Sequence, residues 1–186
     1  MSQLRQLRAV LATTVLFALS SAALQAQSAG QSAPPPGFRG EFLGQFESSM
    51  SKFIALAKAM PPDKYTWSPG QGVMSVARVY GHVARYNFYY PADAMGIAAP
   101  ANIGLDSLEA MTNKAAIVAM LERSNAHVRS AVTAMTDDQL AKSTTLYGRT
   151  VSQWAVLFQL LAHMNEHLGQ SIAYARSNGV VPPWSQ

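Results

Sequence analysis

The sequence predicts an all-α fold, a four-helix bundle with one long crossover between its second and third helices. Three observations carry that prediction. Four stretches repeat apolar residues at steps of three and four, the period of an amphipathic helix. No strand-like alternation of any length separates them. Residues 91–112, rich in Ala, Gly and Pro, are long for a link between neighbouring antiparallel helices, which points to parallel second and third helices. At 186 residues, 49% hydrophobic and 13% charged, the chain suffices for one core and one domain.

In chain order, residues 1–26 have the layout of a secretory signal peptide. Arg5 and Arg8 form a positive start, residues 9–19 an apolar stretch, and small residues lead to a cleavage point near Ala26. A membrane anchor is the competing reading, but the apolar stretch is short for a ~20-residue span and carries Thr13 and Thr14. With no adjacent arginine pair, the general secretory route is expected. The mature protein is then periplasmic or secreted, with no stable membrane anchor. Residues 27–39 hold only Gln, Ser, Ala, Gly and Pro before Phe38 and Arg39, and read as a flexible linker. Residues 40–186 form the domain.

The first helix is expected at about 40–60, with Phe42, Phe46, Met50, Phe53, Ile54 and Leu56 on its apolar face. Pro61 and Pro62 stop it. The loop to residue 74 carries Tyr65 and Trp67 as core plugs. Ser75 caps a second helix, to about residue 90, whose stripe is Val76, Val79, Tyr80, Val83 and Tyr90. Pro91 is expected to end it. The third helix, about 113–135, turns Ile117, Met120, Leu121, Val128 and Val132 inward and leaves His127 on the surface. Residues 136–140 read as a short capped turn, and 143–151, with Tyr147, Gly148 and Arg149, as a turn or short hairpin. Ser152 opens the fourth helix, which closes at Gly179.

Several function classes fall away. The chain has no cysteine, which excludes disulfides, thiolate metal sites and a lipoprotein anchor. Its net charge of +4 drops to about +2 without Arg5 and Arg8, too weak for a nucleic-acid footprint. No Gly-rich phosphate loop or nucleophile elbow is present.

One stretch carries chemistry. His163 and His167 stand four apart in the fourth helix, one turn from each other on one face. That spacing offers two imidazoles to one metal ion, although such pairs also occur as surface or packed residues. Both fall on the shoulder of the stripe Trp154, Leu157, Leu161, Met164, Leu168 and Ile172, half toward the core. His82 projects onto the shoulder of the second helix. Together the two helices offer three imidazoles with open coordination positions. Tyr86, one turn beyond His82, is either a hydrogen-bond donor to a bound ligand or a core tyrosine with its hydroxyl at the rim.

At these residues the chain resembles the DinB-like (DinB/YfiT) metal-binding four-helix bundles. The resemblance spans about residues 40–184. It rests on His82, on the HxxxHxGQ pattern of His163, His167, Gly169 and Gln170, and on two flanking stretches, 60–69 and 174–183. It implies His82, His163 and His167 as the metal triad. It also implies parallel second and third helices, and it admits a homodimer through helix faces.

Three neutral imidazoles suit Zn²⁺ or Ni²⁺ first, with Fe²⁺, Mn²⁺ or Cu²⁺ as alternatives, and do not choose among them. Such an ion lowers the pKa of a bound water or of a substrate thiol, so hydrolysis and thiol transfer are two uses of one device. The resemblance implies metal-dependent hydrolases, or transferases and isomerases that use a small thiol. Export away from the cytosolic thiol pool favours a hydrolase on a small-molecule substrate of unidentified class. A non-catalytic metal- or ligand-binding module is the alternative from another class. Residues 163–167 also spell HxxEH, a protease pattern, but no Asp or Glu follows Glu166 to complete it. Glu166 is either a candidate base or, more simply, a solvated helix-face glutamate; Gln170 reads as an orienter of a ligand and Gly169 as a point of close helix approach.

Overall fold

The computed structural model describes residues 37–185. The expected signal peptide and all of the expected linker before Gly37 lie outside the described residues. Four long helices make the bundle: α1 (Phe38–Ala59), α2 (Val76–Met95), α3 (Lys114–Ala134) and, after a short α4 (Asp137–Ala141), α5 (Gln153–Ser177). Strands β1 (Ser143–Leu146) and β2 (Arg149–Ser152) form a hairpin between α4 and α5. Among the described residues, no helix is long and apolar enough to cross a membrane.

Pairs of contacting residues fix the helix directions. Lys114 donates to the carbonyls of Lys58 and Met60, while Arg129 pairs with Glu47, so α1 and α3 are antiparallel. Phe53 meets Tyr80 edge-on and Met50 lies beside Asn87, so α1 and α2 are antiparallel too. It follows that α2 and α3 run parallel, with Asn87 bonded to Ser124 and Phe88 against His127. Phe38 against Trp154 and Ser49 bonded to Asn165 set α5 parallel to α1. The expected crossover is therefore present.

The core follows the periodic stripes. Phe42, Phe46, Met50, Phe53 and Leu56 of α1 are buried against Val79, Tyr80 and Val83 of α2, with Ile117, Leu121, Val128 and Val132 of α3. On α5, Val156, Leu157, Leu160, Met164 and Leu168 face inward. Each burial of a side chain of this size contributes about 1.5–3 kcal/mol. Tyr65 is fully buried and donates to the Ala57 carbonyl, whereas Trp67 is half-buried and packs edge-on against Tyr174. The same loop caps α2. Val76 and Ala77 donate to the carbonyls of Trp67 and Tyr65, and Ser75 accepts from the Arg78 amide. These bonds satisfy three of the orphan donors that every helix start leaves.

Three boundaries differ from the sequence reading. Helix α1 begins at Phe38, because that ring packs on Phe42 and Trp154 and Arg39 pairs with Asp137. Residues 38 and 39 thus belong to the helix and not to a linker. Pro91 does not end α2, which runs on to Met95. A helix-interior proline costs about 3 kcal/mol, offset here by burying Tyr90, Pro91 and Ala94. Gly96, at φ 70°, then closes the helix in the left-handed region. Finally, the crossover is not a plain loop, since Leu105–Ala110 form a 3₁₀ turn lying on α2. The hairpin is confirmed: Tyr147 (φ 51°) and Gly148 (φ 74°) give the two positive dihedrals that a tight two-residue turn requires.

Gly81 permits the crossover turn to sit where it does. A Cβ at Gly81 would lie 2.2 Å from the Leu108 carbonyl oxygen, which is backbone and cannot swing aside. The close approach assigned to Gly169 is not found, because that glycine is exposed and a Cβ there would meet nothing within 4 Å. Gly81→Ala is expected to destabilise the protein by about 1–3 kcal/mol through overpacking. Gly169→Ala is expected to stabilise it by about 0.5–1 kcal/mol through helix propensity. Chemical denaturation of the two variants beside wild type checks both signs.

Candidate metal centre

The antiparallel pairing of α2 and α5 brings His82 alongside His163 and His167. Ring centroids are 5.0 Å apart for His82–His163, 4.8 Å for His82–His167 and 4.7 Å for His163–His167. One ring nitrogen from each lies within 4.8 Å of the other two, and His82 Nε2 is 3.1 Å from His163 Nε2. Two metal–nitrogen bonds of about 2.1 Å at a tetrahedral angle span about 3.4 Å, so closing on one ion takes ring movements on the order of 1 Å. All three rings are half-buried. The three residues singled out from the sequence are therefore brought together.

The far side of two rings is held. His82 Nδ1 lies 2.9 Å from Glu109 Oε1, and Glu109 Oε2 accepts from Arg78 Nε at 3.2 Å. His167 Nδ1 lies 2.7 Å from Gln170 Oε1, while Gln170 Nε2 donates to the Tyr174 hydroxyl at 2.8 Å. In this arrangement the amide oxygen faces the ring and the amide nitrogen faces the hydroxyl. The Glu109 carboxylate can only accept, so it selects the Nδ1–H tautomer of His82 and turns the Nε2 lone pair toward His163; the Gln170 amide oxygen does the same for Nδ1 of His167. His163 differs, since its Nδ1 is buried without a hydrogen-bond partner. Tyr86 packs its ring 4.5 Å from His82 and 4.6 Å from His163.

Electrostatics favour neutral imidazoles. Burial, together with the nearby His167 and His82, pushes His163 down to about 4 from an ordinary 6.5. Burial also lowers His82, against the hydrogen bond and charge of Glu109, which raise it. For Glu109, burial raises the carboxyl, but the bonds from His82 and Arg78 outweigh it and hold the group below its usual range. Three convergent imidazole nitrogens fit a divalent transition ion.

The other singled-out residues are placed as follows. Glu166 is exposed, and its carboxylate is not among the groups gathered at the centre. His127 is not a surface residue. It is half-buried against Phe88 with Nε2 enclosed, because α3 packs that flank on α2, and it stands outside the triad. Gln170 is at a ligand ring, as expected. Glu109 is not legible from sequence, since nothing around it sets it apart from a solvated loop acid. Its role depends on the 3₁₀ turn that lays it on α2.

A model of the DinB family matches residues 27–186. A DinB-like protein from Bacillus cereus ATCC 10987 is similar in structure, with a TM-score of 0.66 and 19% identity over 80% of this chain and 95% of that one. A DinB-like protein from Bacillus subtilis has a TM-score of 0.61 and 19% identity, over 75% of this chain and 92% of the other. A mycothiol-dependent maleylpyruvate isomerase is similar at a TM-score of 0.56 and 17% identity, over 70% of this chain. The match spans 59% of the isomerase chain. No curated protein matches.

The depressed His163 value fixes a pH dependence for the metal-free protein. The folded value lies below the unfolded one, so the unfolded chain takes up the proton first. The stability linked to this group is full above about pH 6.5 and is lost as pH falls toward about 4. Denaturant midpoints of the metal-free protein across pH 4–8 are expected to fall in that window, and less steeply in His163→Gln.

Proposed function

The chain belongs to the DinB family, and on that premise we propose that it is a metal-dependent enzyme whose ion is held by His82, His163 and His167. The convergence of three imidazole nitrogens within 4.8 Å of one another carries the reading. A divalent ion held by three imidazoles supplies Lewis-acid chemistry toward a substrate oxygen or sulfur and keeps positions open for it. Zn²⁺ or Ni²⁺ is the favoured occupant, since neutral nitrogen donors suit both.

The protein's own residues divide the remaining work. Helices α2 and α5 present the donors from rigid elements, which keeps the three nitrogens convergent. Glu109 and Gln170 hold two rings by their far nitrogens, and the Tyr86 ring packs against the third. Glu109 is engaged by both His82 and Arg78, so it holds a proton in place and does not take one from a substrate. Glu166 faces solvent and is not assigned the base.

We assign hydrolysis of a small substrate as the reaction class, supported by the exported character of residues 1–26. Thiol-dependent transfer or isomerisation is the second reading. One observation favours it: the fold is shared with a mycothiol-dependent maleylpyruvate isomerase.

Elemental analysis of the mature protein, purified without a histidine tag, tests the reading. About one equivalent of a transition metal is expected in wild type and in His127→Ala, and none in the His163→Ala/His167→Ala double variant. Turnover on a panel of esters, amides and thiol conjugates is expected to disappear in His82→Ala and survive in His127→Ala. A wild type that is metal-free and takes up neither Zn²⁺ nor Ni²⁺ on titration overturns the metal centre. Full metal without turnover on the panel overturns the enzymatic part alone.

A further inference from the structure

Glu109 is 27 residues from His82 in the chain and reaches it only because the 3₁₀ turn of Leu105–Ala110 lies on α2. The approach occurs at Gly81, the residue next to His82, where the Leu108 carbonyl occupies the space of a Cβ. The turn is thus docked beside the ligand and not at a distant point of the helix. The carboxylate it delivers is itself fixed. Oε2 accepts from Arg78 at 3.2 Å, Oε1 faces His82 Nδ1 at 2.9 Å, and Arg85 stands 3.9 Å from Oε1. A solvated ion pair has no need of the ring. Here the shorter of the two hydrogen bonds goes to the imidazole, and the carboxylate is mostly enclosed.

We propose that Glu109 is a positioning residue of the metal centre, through which the crossover between α2 and α3 sets the orientation and donor strength of His82. The inference rests on the metal reading above. By accepting a hydrogen bond from Nδ1–H, the carboxylate fixes the tautomer that turns the Nε2 lone pair toward His163 and the centre. Its negative charge makes the imidazole a stronger donor than a neutral acceptor does, because polarisation of the N–H shifts electron density onto the ring. The second held ring has a neutral partner, the Gln170 amide, and His163 has none at Nδ1. The three ligands are therefore graded, and His82 carries the only carboxylate-backed ring among the described residues. Loss of Glu109 removes both orientation and charge, while an amide in its place removes only charge.

The test compares wild type, Glu109→Ala and Glu109→Gln, the last of which keeps shape and an acceptor oxygen. Co²⁺ affinity is read by competition with a chelator. The metal-free His82 ring is read separately by ¹⁵N chemical shifts, which report the tautomer. Glu109→Ala is expected to weaken Co²⁺ by about 10–100-fold and to mix the His82 tautomers. Glu109→Gln is expected to fall between Glu109→Ala and wild type in affinity and to retain the Nδ1–H form. Wild-type affinity and an unchanged His82 tautomer in Glu109→Ala overturn the proposal while leaving the metal centre intact. An affinity loss accompanied by equal weakening in Glu109→Gln and an unchanged tautomer overturns the orientation half of it. A wild type that takes up no Co²⁺ removes the metal reading, and this inference with it.

Discussion

The close contact between Gly81 and the Leu108 carbonyl is the constraint on which the site depends. It lets a backbone turn rest directly on a helix, at a separation that any side chain on residue 81 would forbid. Because the turn lies there, Glu109 reaches His82, and because Arg78 clamps the same carboxylate, it stays there. A chain segment of low periodicity, the long link between two parallel helices, is in this way made part of the centre. The parallel arrangement and the support of His82 are two results of one connection.

The centre itself is built against local stability. Enclosing polar nitrogens is unfavourable unless each finds a partner, and His163 Nδ1 finds none among the described residues. An unsatisfied buried group costs about 1–3 kcal/mol, a penalty tolerated where function needs a neutral donor. The same enclosure that carries the cost depresses the His163 value and keeps its lone pair available. The aromatic rings of Tyr86 and Tyr90 around it exclude water from that side without offering it a hydrogen bond.

Much of this was legible in the sequence, and the limits of legibility have physical causes. Period-3.6 stripes exposed four helices and nearly all of the core, because burial along a helix is a local repeat. The shoulder placement of His82, His163 and His167 was readable for the same reason. Residues 38 and 39 were assigned to a linker because composition says nothing of a tertiary contact such as Phe38 on Trp154. Pro91 read as a stop because local propensity is blind to the burial that offsets it. Gly169 was credited with the close approach by its place in a motif. The glycine that makes one, Gly81, stands in an ordinary helical run, where only the neighbouring backbone shows its use. Glu109 and Gln170 differ likewise. Gln170 sits three residues from its histidine, within helical reach, and was found. Glu109 sits 27 residues away and was not.

The central claim is that three imidazoles from α2 and α5 converge on one ion through their Nε2 atoms. Anomalous diffraction at the metal edge from crystals of the reconstituted protein tests it most directly. The account predicts one full-occupancy ion bonded to Nε2 of His82, His163 and His167, with Glu109 still within hydrogen-bond distance of His82 Nδ1. An ion bound through Nδ1 atoms, at other residues, or at two partial sites would contradict it.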